Sequence, residues 1–497
     1  MAVSTAFSPS RVARGVAIET EFNATVPSSA VYRPIKIALV GVGQASESYA
    51  FTPFDVTKLS DVSDVVGYKN PLYQAAKMLK PPTALGIGDI PLTVFPVEVT
   101  ASGAQSVGSV ALVGTLGTGL TEVHTIKMGN HAAQVTLVGG EANTDMIAKF
   151  VAAAAAIPDY PAAVTDGTTV ATCTIGWEGA TGDECDITIE SPSTSALTWT
   201  IVQPTGGAGT LDVDDALAQF GNVWYSHVIN CDSADTATYN KYSAFNELRW
   251  AAAVYKPFKC YSGTNETSVV TAAAITDARK SDRTNSLKPA PGSLDMPWEI
   301  AARQVQAMVI VANVNAPTDY GSEKVTLLDD GGEENQWTED DGEYQYAVSR
   351  GLSTTKIKSN VLRIADSIMM YHPDGEDPPA YQYDVDIEKL CAMIYNIDLI
   401  FNNDSVDGSP LPPDADVITN PNARKPRTYK AALFSLYKTM SEDAIIADLD
   451  YAKENTVVEI SGSNPKRLDV LAVYKLAGNA NVISITQQFS FYFGGAA

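Results

Sequence analysis

The sequence predicts a multidomain protein of mixed α/β and α+β class, and three observations point there. Strand-like and helix-like segments alternate over residues 31–99 and again after residue 210, the order expected of a partly parallel sheet covered by helices. Between them, residues 100–209 turn to Thr, Val and Gly with frequent turn signals, the composition of an inserted β-rich domain. Finally, residues 481–497 alternate with period two. Ile483, Ile485, Phe489, Phe491 and Phe493 share one face, and Ser484, Thr486, Gln488 and Ser490 share the other.

At 497 residues and 45% apolar content the chain exceeds one core and suggests roughly two to four domains. Residues 1–30 show no helical period and read as an extended arm. Residues 35–42 form a buried strand, 72–79 a helix and 92–99 a second strand; together, 31–99 make the first part of an α/β core. Within the insertion an alanine-rich helix starts near Asn143 and stops before Pro158. The core resumes over 210–350 with a strand at 223–228, a helix at 238–255 and a strand at 258–261. A helix entered through Asp295 and Pro297 then carries Ile300, Ala301, Val305 and Met308 on one side. The acidic stretch 329–343 reads as a solvated loop.

Residues 351–480 read as a C-terminal α+β domain, with helical patterns at 355–370, 385–401 and 431–451. A long loop over 404–426, containing Pro412 and Pro413, separates the last two. A strand at 468–476 and turn chemistry around Gly478 and Asn479 lead to the terminal strand arm, 481–497. An apolar edge of this kind needs a partner, either in its own subunit or in a neighbour.

The formal charge of -24 is dispersed, which argues against binding nucleic acid phosphates or anionic lipid directly. No segment approaches the ~20 apolar residues of a membrane helix. Residues 1–10 lack the basic start and apolar run of a secretory signal, so a soluble protein is expected. Cys173, Cys185, Cys231, Cys260 and Cys391 show no C-x-x-C pair. They read as buried thiols, and their odd number leaves room for a bond between subunits.

Sites of chemistry fare poorly. Gly41-Val42-Gly43 follows a strand, but the third glycine of a dinucleotide fingerprint is missing and Pro53 interrupts. No Gly-Lys-Ser/Thr follows for a phosphate loop. His124, His131, His227 and His372 lack metal-ligand spacing, and no G-x-S-x-G elbow occurs. Asp404, Asp407, Asp414 and Asp416 lack the glycine and closing glutamate of a calcium loop. No catalytic, metal or cofactor residue is therefore expected, which disfavours a hydrolase. Arg424, Lys425, Arg427, Lys430 and Lys438 form the one local basic cluster. It reads either as a solvated helix entrance or as a contact for an acidic partner.

Several segments, in order, carry a resemblance. IALVGVGQ at 37–44 and GYKNPLYQAAKML at 67–79 resemble the opening of tail sheath proteins from Mu-like contractile bacteriophages. Residues 131–157, 161–164 and TIGWEGATGDECDITI at 174–189 are similar to that family's protruding domain. LDMPWEIAA at 294–302 looks like its helix entrance. Gly351-Leu352-Ser353-Thr354 with Tyr371, Tyr381 and Asp386 match the start of its C-terminal domain. Residues 1–30 match poorly, the run after Val314 lacks the family's proline-arginine turn, and the acidic 329–343 stretch is peculiar to this chain.

The resemblance implies a subtilisin-like α/β core without protease activity and a structural role requiring no cofactor. It implies a helical homopolymer of hexameric rings around a tail tube, joined to baseplate and tail terminator proteins. Such a sheath is assembled in the host cytoplasm and resides in the virion tail, with no nucleic acid contact and no membrane insertion. Terminal strands exchanged between subunits hold it together, which assigns Ile483, Ile485, Phe489, Phe491 and Phe493 to an inter-subunit strand. On that reading Arg424, Lys425, Arg427 and Lys430 become the expected contact for an acidic tube.

Overall fold

A computed structural model of the chain describes residues 33–43, 51–82, 86–99, 102–232, 235–252, 254–339, 342–376, 379–402 and 408–481. The arm at 1–30 and the terminal strand at 482–497, with Ile483, Ile485, Phe489, Phe491 and Phe493, lie outside the described residues.

The chain opens with β1 (Ile37–Val42), β2 (Phe54–Asp55), α1 (Leu59–Val66), α2 (Pro71–Leu79) and β3 (Leu92–Val97). Asn70 caps α2 by accepting from the Leu72 amide at 2.8 Å, and Pro71 supplies a preset first turn. Next come β4 (Gln105–Gly114), β5 (Thr121–Met128), β6 (His131–Val138), α3 (Asn143–Ala155), β7 (Ala162–Asp166), β8 (Val170–Glu178), β9 (Ile187–Glu190) and β10 (Leu197–Thr205). These strands form two sheets of their own, β10-β4-β8-β7 and β6-β5-β9, packed around α3. Their alternating exposure, as in β6, is that of half-buried antiparallel strands.

The chain then returns through α4 (Val213–Ala218), β11 (His227–Asn230), α5 (Thr236–Trp250), β12 (Lys259–Thr264), α6 (Val269–Asp277), β13 (Asn285–Pro289) and α7 (Pro297–Val314). The central sheet has the order β13-β12-β11-β1-β3-β2 and is parallel except at the β2 edge. β1, β3, β11 and β13 are buried along their whole length, as expected when helices cover both faces. Strand order reverses between β1 and β11. Right-handed crossovers therefore place α2 and α5 on opposite faces, with α7 packed beside α2 and α4 beside α5. Gly41 is a packing glycine, since a Cβ there would lie 2.7 Å from the Cys231 Cβ.

The last part holds α8 (Glu343–Val348), β14 (Thr354–Ile357), β15 (Leu362–Asp366), α9 (Asp384–Phe401), α10 (Pro426–Glu442), β16 (Ile446–Ala447), α11 (Leu449–Asn455), β17 (Val457–Ile460), β18 (Leu468–Leu471) and β19 (Lys475–Leu476). A separate apolar cluster built on Met393, Leu433, Tyr437, Met440 and Ile446 holds α9 and α10 against these short strands.

Several expectations need correction. The helix expected at 355–370 is the β14–β15 hairpin, whose Ser359 and Asn360 both have positive φ (56° and 55°), as a tight two-residue turn requires. The helix expected at 431–451 begins earlier, at Pro426, and stops at Glu442. Left-handed Ala444 (φ 55°) and Asp448 (φ 57°) break the path before α11. The strand expected at 223–228 is shifted to β11, and 468–476 divides into β18 and β19. The acidic stretch over 329–339 is exposed or half-buried except at Trp337, as a solvated loop would be, but it is also anchored: the Asp329 carboxylate accepts from the Leu294 amide at 2.7 Å. All five cysteines are buried and unpaired, leaving none at the surface to bridge subunits.

Candidate functional site

The strongest concentration of chemistry is a buried charge junction between the central sheet and α9. β11 contributes His227, β12 contributes Lys259 and Tyr261, and β13 contributes Lys288. From α9 come Asp384 and Glu388, one helical turn apart on the same face. Lys259 Nζ lies 2.6 Å from Asp384 and 3.0 Å from Glu388, and Arg33 Nη2 donates to Glu388 at 2.5 Å. Tyr261 donates to Asp384 at 3.1 Å. Burial works against every charge here, yet Arg33 and Lys259 overcome it at Glu388, and Lys259 and Lys288 overcome it at Asp384. Both carboxyls are lowered from their ordinary values, Glu388 strongly so. Three cations face two carboxylates, and the imbalance falls on Lys288, whose burial lowers it to about 8. Burial, then Lys259, likewise lowers His227 to about 3, so it is neutral at pH 7.

Lys288 Nζ also lies 2.7 Å from Ser367 Oγ and 3.3 Å from Ser353 Oγ, which invites a serine–lysine nucleophile reading. Ser353, Ser367 and Lys288 are all buried, with 1%, 2% and 0% exposure, so the group is closed to solvent. Its contacts tie β13 to the residues just before β14 and just after β15.

Two successive residues of α9, Glu388 and Lys389, hold the two ends of the described chain. Arg33, at the root of the N-terminal segment, is held by Glu388 and lies 4.8 Å over the Trp224 ring. The adjacent α9 residue, buried Lys389, donates to the Ala477 carbonyl at 2.6 Å and to the Asn479 side chain. Asn479 in turn donates to the Pro317 carbonyl at 3.0 Å. The first described residue, Arg33, and the last described segment, at Ala477 and Asn479, are thus held at neighbouring points on one helix.

The inserted strands meet the core through a second polar seam. His131 Nε2 lies 3.3 Å from Glu299 on α7, and its Nδ1 lies 3.8 Å from Asp159, which also pairs with Lys77 of α2. Burial opposes protonation of His131, but Glu299 and Asp159 prevail and raise it. Asp295 accepts from Asn130 at 3.2 Å and from the Asp329 amide at 2.5 Å; burial, then Glu299, pushes it up to about 7. Trp177 of β8 packs edge-to-face on Trp298 at 5.5 Å, adding a dry contact beside the charges.

The four expected tube-contact residues sit together at the entrance to α10. Arg427 is exposed, while Arg424, Lys425 and Lys430 are half-buried. Lys425 donates to the Asp414 and Asp416 carbonyls, the Arg427 amide donates to the Asp414 carboxylate at 3.0 Å, and Lys430 lies 5.4 Å from the Phe434 ring. Part of the cluster therefore braces its own loop. Beyond α10, β17–β18 and β16–β19 are two-stranded sheets. Pairs this small are marginal alone and gain from further strands.

Sequence reasoning missed the charge junction, whose members are scattered from residue 33 to 388. Only Lys259 carried a signal, standing between Phe258 and Cys260 where an unpaired lysine is costly if buried; Lys288 lies in the polar run Asn285-Ser286-Leu287-Lys288 and carried none.

The molecule is thus a large mixed α/β chain whose dominant polar features join its parts and hold both ends of the described residues. No family model matches it. It is 24% identical to the Mu-like prophage FluMu tail sheath protein of Haemophilus influenzae over 417 residues, 80% of this chain and 82% of that one. In fold it resembles a chain of the anti-feeding prophage baseplate in the contracted state, with a TM-score of 0.51 and 9% identity over 96% of this chain and 99% of that one. The sheath tail protein of Listeria innocua aligns with a TM-score of 0.47 and 11% identity over 91% and 94% of the two chains, too distant to bear on the argument.

Proposed function

We propose that this chain is the structural subunit of a contractile tail sheath, polymerising helically around an inner tube and contracting to drive that tube through a host envelope. The observation that carries the reading is the similarity to a Mu-like tail sheath protein along four-fifths of both chains. Supporting it physically, Arg33 and Ala477, close to the two ends of the described chain, are held side by side at Glu388 and Lys389. Arms that leave one rigid point can bridge to neighbours while bodies rotate. A 25-residue arm reaches up to ~85 Å.

On this reading residues 1–30 and 481–497 are exchanged arms, and the terminal strand adds to the small C-terminal sheets of a neighbour. Such a contact does not close on itself and so propagates into a helix of stacked hexameric rings. Segments 31–99 and 210–350 form a subtilisin-like core, 100–209 an outward-facing domain and 351–480 the domain that receives arms. Contraction is rigid-body repacking from a metastable to a lower-energy array, without nucleotide or enzymatic chemistry. The α10 entrance, Arg424, Lys425, Arg427 and Lys430, grips an acidic tube, and the polymer ends on baseplate and terminator proteins in the virion tail. Among the described residues no helix is long and apolar enough to cross a membrane. Negative-stain microscopy of the purified chain tests the proposal: rings or hollow tubes support it, and uniform monomers at all concentrations count against it.

A further inference from the structure

A groove of about 930 Å³ runs along the C-terminal half of α7, lined by Ile87, Ile90, Ile310, Val314, Lys324 and Arg363. Its walls differ in kind. One is apolar: Ile310 and Val314 are 38% and 73% exposed on a helix that is otherwise largely buried, and Ile87 and Ile90 stand opposite. The other is a strand edge. Lys324 bridges Arg363 of β15 in antiparallel fashion, with Val325 donating to Leu362 and Ile364 donating to Glu323. That pattern turns the amide and carbonyl of Lys324 away from β15, where a further strand can pair.

We infer that in the free subunit this groove holds the chain's own residues 482–497, parking the strand until a neighbour takes it. The chain leaves the described residues at Asn481, and Asn479 is anchored on Pro317, three residues beyond Val314. Sixteen residues extended cover up to ~55 Å, more than enough to lie along the groove. The segment alternates, with Ile483, Ile485, Phe489, Phe491 and Phe493 on one face. It therefore has an apolar face for Ile310 and Val314 and a backbone edge for Lys324, the two features of strand addition. A tethered segment also competes at an effective concentration in the millimolar range, well above that of free neighbours. The inference rests on the reading of 481–497 as the joining strand, and it explains how an aromatic face stays covered before assembly.

Cysteine cross-linking tests it in the full chain. The five natural thiols are buried, so Val314→Cys paired with Phe489→Cys or with Phe491→Cys leaves the introduced pair to react with a short bismaleimide. The expected product in the free subunit is an intrachain bridge whose yield is unchanged on about hundredfold dilution. Products that link only separate chains, or no bridge in either pairing, overturn the inference. A second measurement needs no cysteine: deleting 482–497 is expected to speed amide exchange at Lys324 and Thr326 about tenfold, and unchanged exchange overturns the parking site. If the full chain polymerises and the deletion does not, the joining role stands whatever the cross-links show.

Discussion

Replacing Glu388 by Leu isolates what the buried junction contributes. The substitution removes the carboxylate that holds Arg33 at 2.5 Å, while Lys259 keeps Asp384 at 2.6 Å, so one buried guanidinium is left without its counterion. Breaking a buried pair from one side costs about 3–5 kcal/mol, most of it the desolvation of the stranded charge. At about 2–4 °C per kcal/mol, the transition that melts the central sheet should fall by roughly 10 °C. Adding Arg33→Met removes the stranded charge and should restore most of the loss. The sign of the pH dependence follows from the depressed carboxyl: its contribution is complete above the unfolded value near pH ~4 and disappears only as pH falls through the much lower folded value. Thermal unfolding of wild type, single and double variants from pH 8 to pH 3 reads the plateau above pH ~4 and the onset of the decline below it. A loss below about 1 kcal/mol for Glu388→Leu, or a double variant no more stable than the single, would refute the reasoning.

Three further outcomes are expected. Asp295 has a raised carboxyl, so the folded state holds a proton that the unfolded state has lost and wild-type stability falls as pH rises from about 4 to 7. Urea unfolding of Asp295→Asn should show a gain over wild type that grows across that window to on the order of 3 kcal/mol, and a pH-independent difference would contradict it. Reversing Arg424, Lys425 and Arg427 to Glu should impair co-sedimentation with purified tubes while tube-free polymers still form. Each exposed pair is worth only ~0.2–1 kcal/mol, so binding that is insensitive to salt would return the cluster to a solvated helix entrance. A deletion joining Val99 to Thr210 should still polymerise, and it fails as a prediction if it abolishes assembly as completely as loss of 482–497 does.

Where local pattern and burial agree, the elements were legible from residues alone. The strand at 35–42, the helix at 72–79 and the helix entered through Pro297 carried periodicity or start signals that tertiary packing did not override. The β14–β15 hairpin reads as a helix because Ile357, Val361, Ile364 and Ile368 recur at i, i+4, i+7 and i+11, a helical spacing. The informative signal was Ser359-Asn360 between β-branched residues. The 431–451 helix was overextended because nothing in its apolar periodicity marks the left-handed residues Ala444 and Asp448. The basic cluster at 424–430 could be found locally, being contiguous. Arg33, Lys259, Lys288, Asp384 and Glu388 could not, because only the strand order β13-β12-β11-β1 and the packing of α9 beneath it bring them within 4 Å of one another's partners.

The central claim, that terminal strands join subunits into a sheath, is tested most directly by cryo-electron microscopy of polymers grown from the full chain. The account predicts a hollow helical array in which residues 482–497 leave one subunit beside Asn479 and pair with the small C-terminal sheet of another. Density that keeps this segment within its own subunit throughout the array, with neighbours touching only through their globular surfaces, would contradict it.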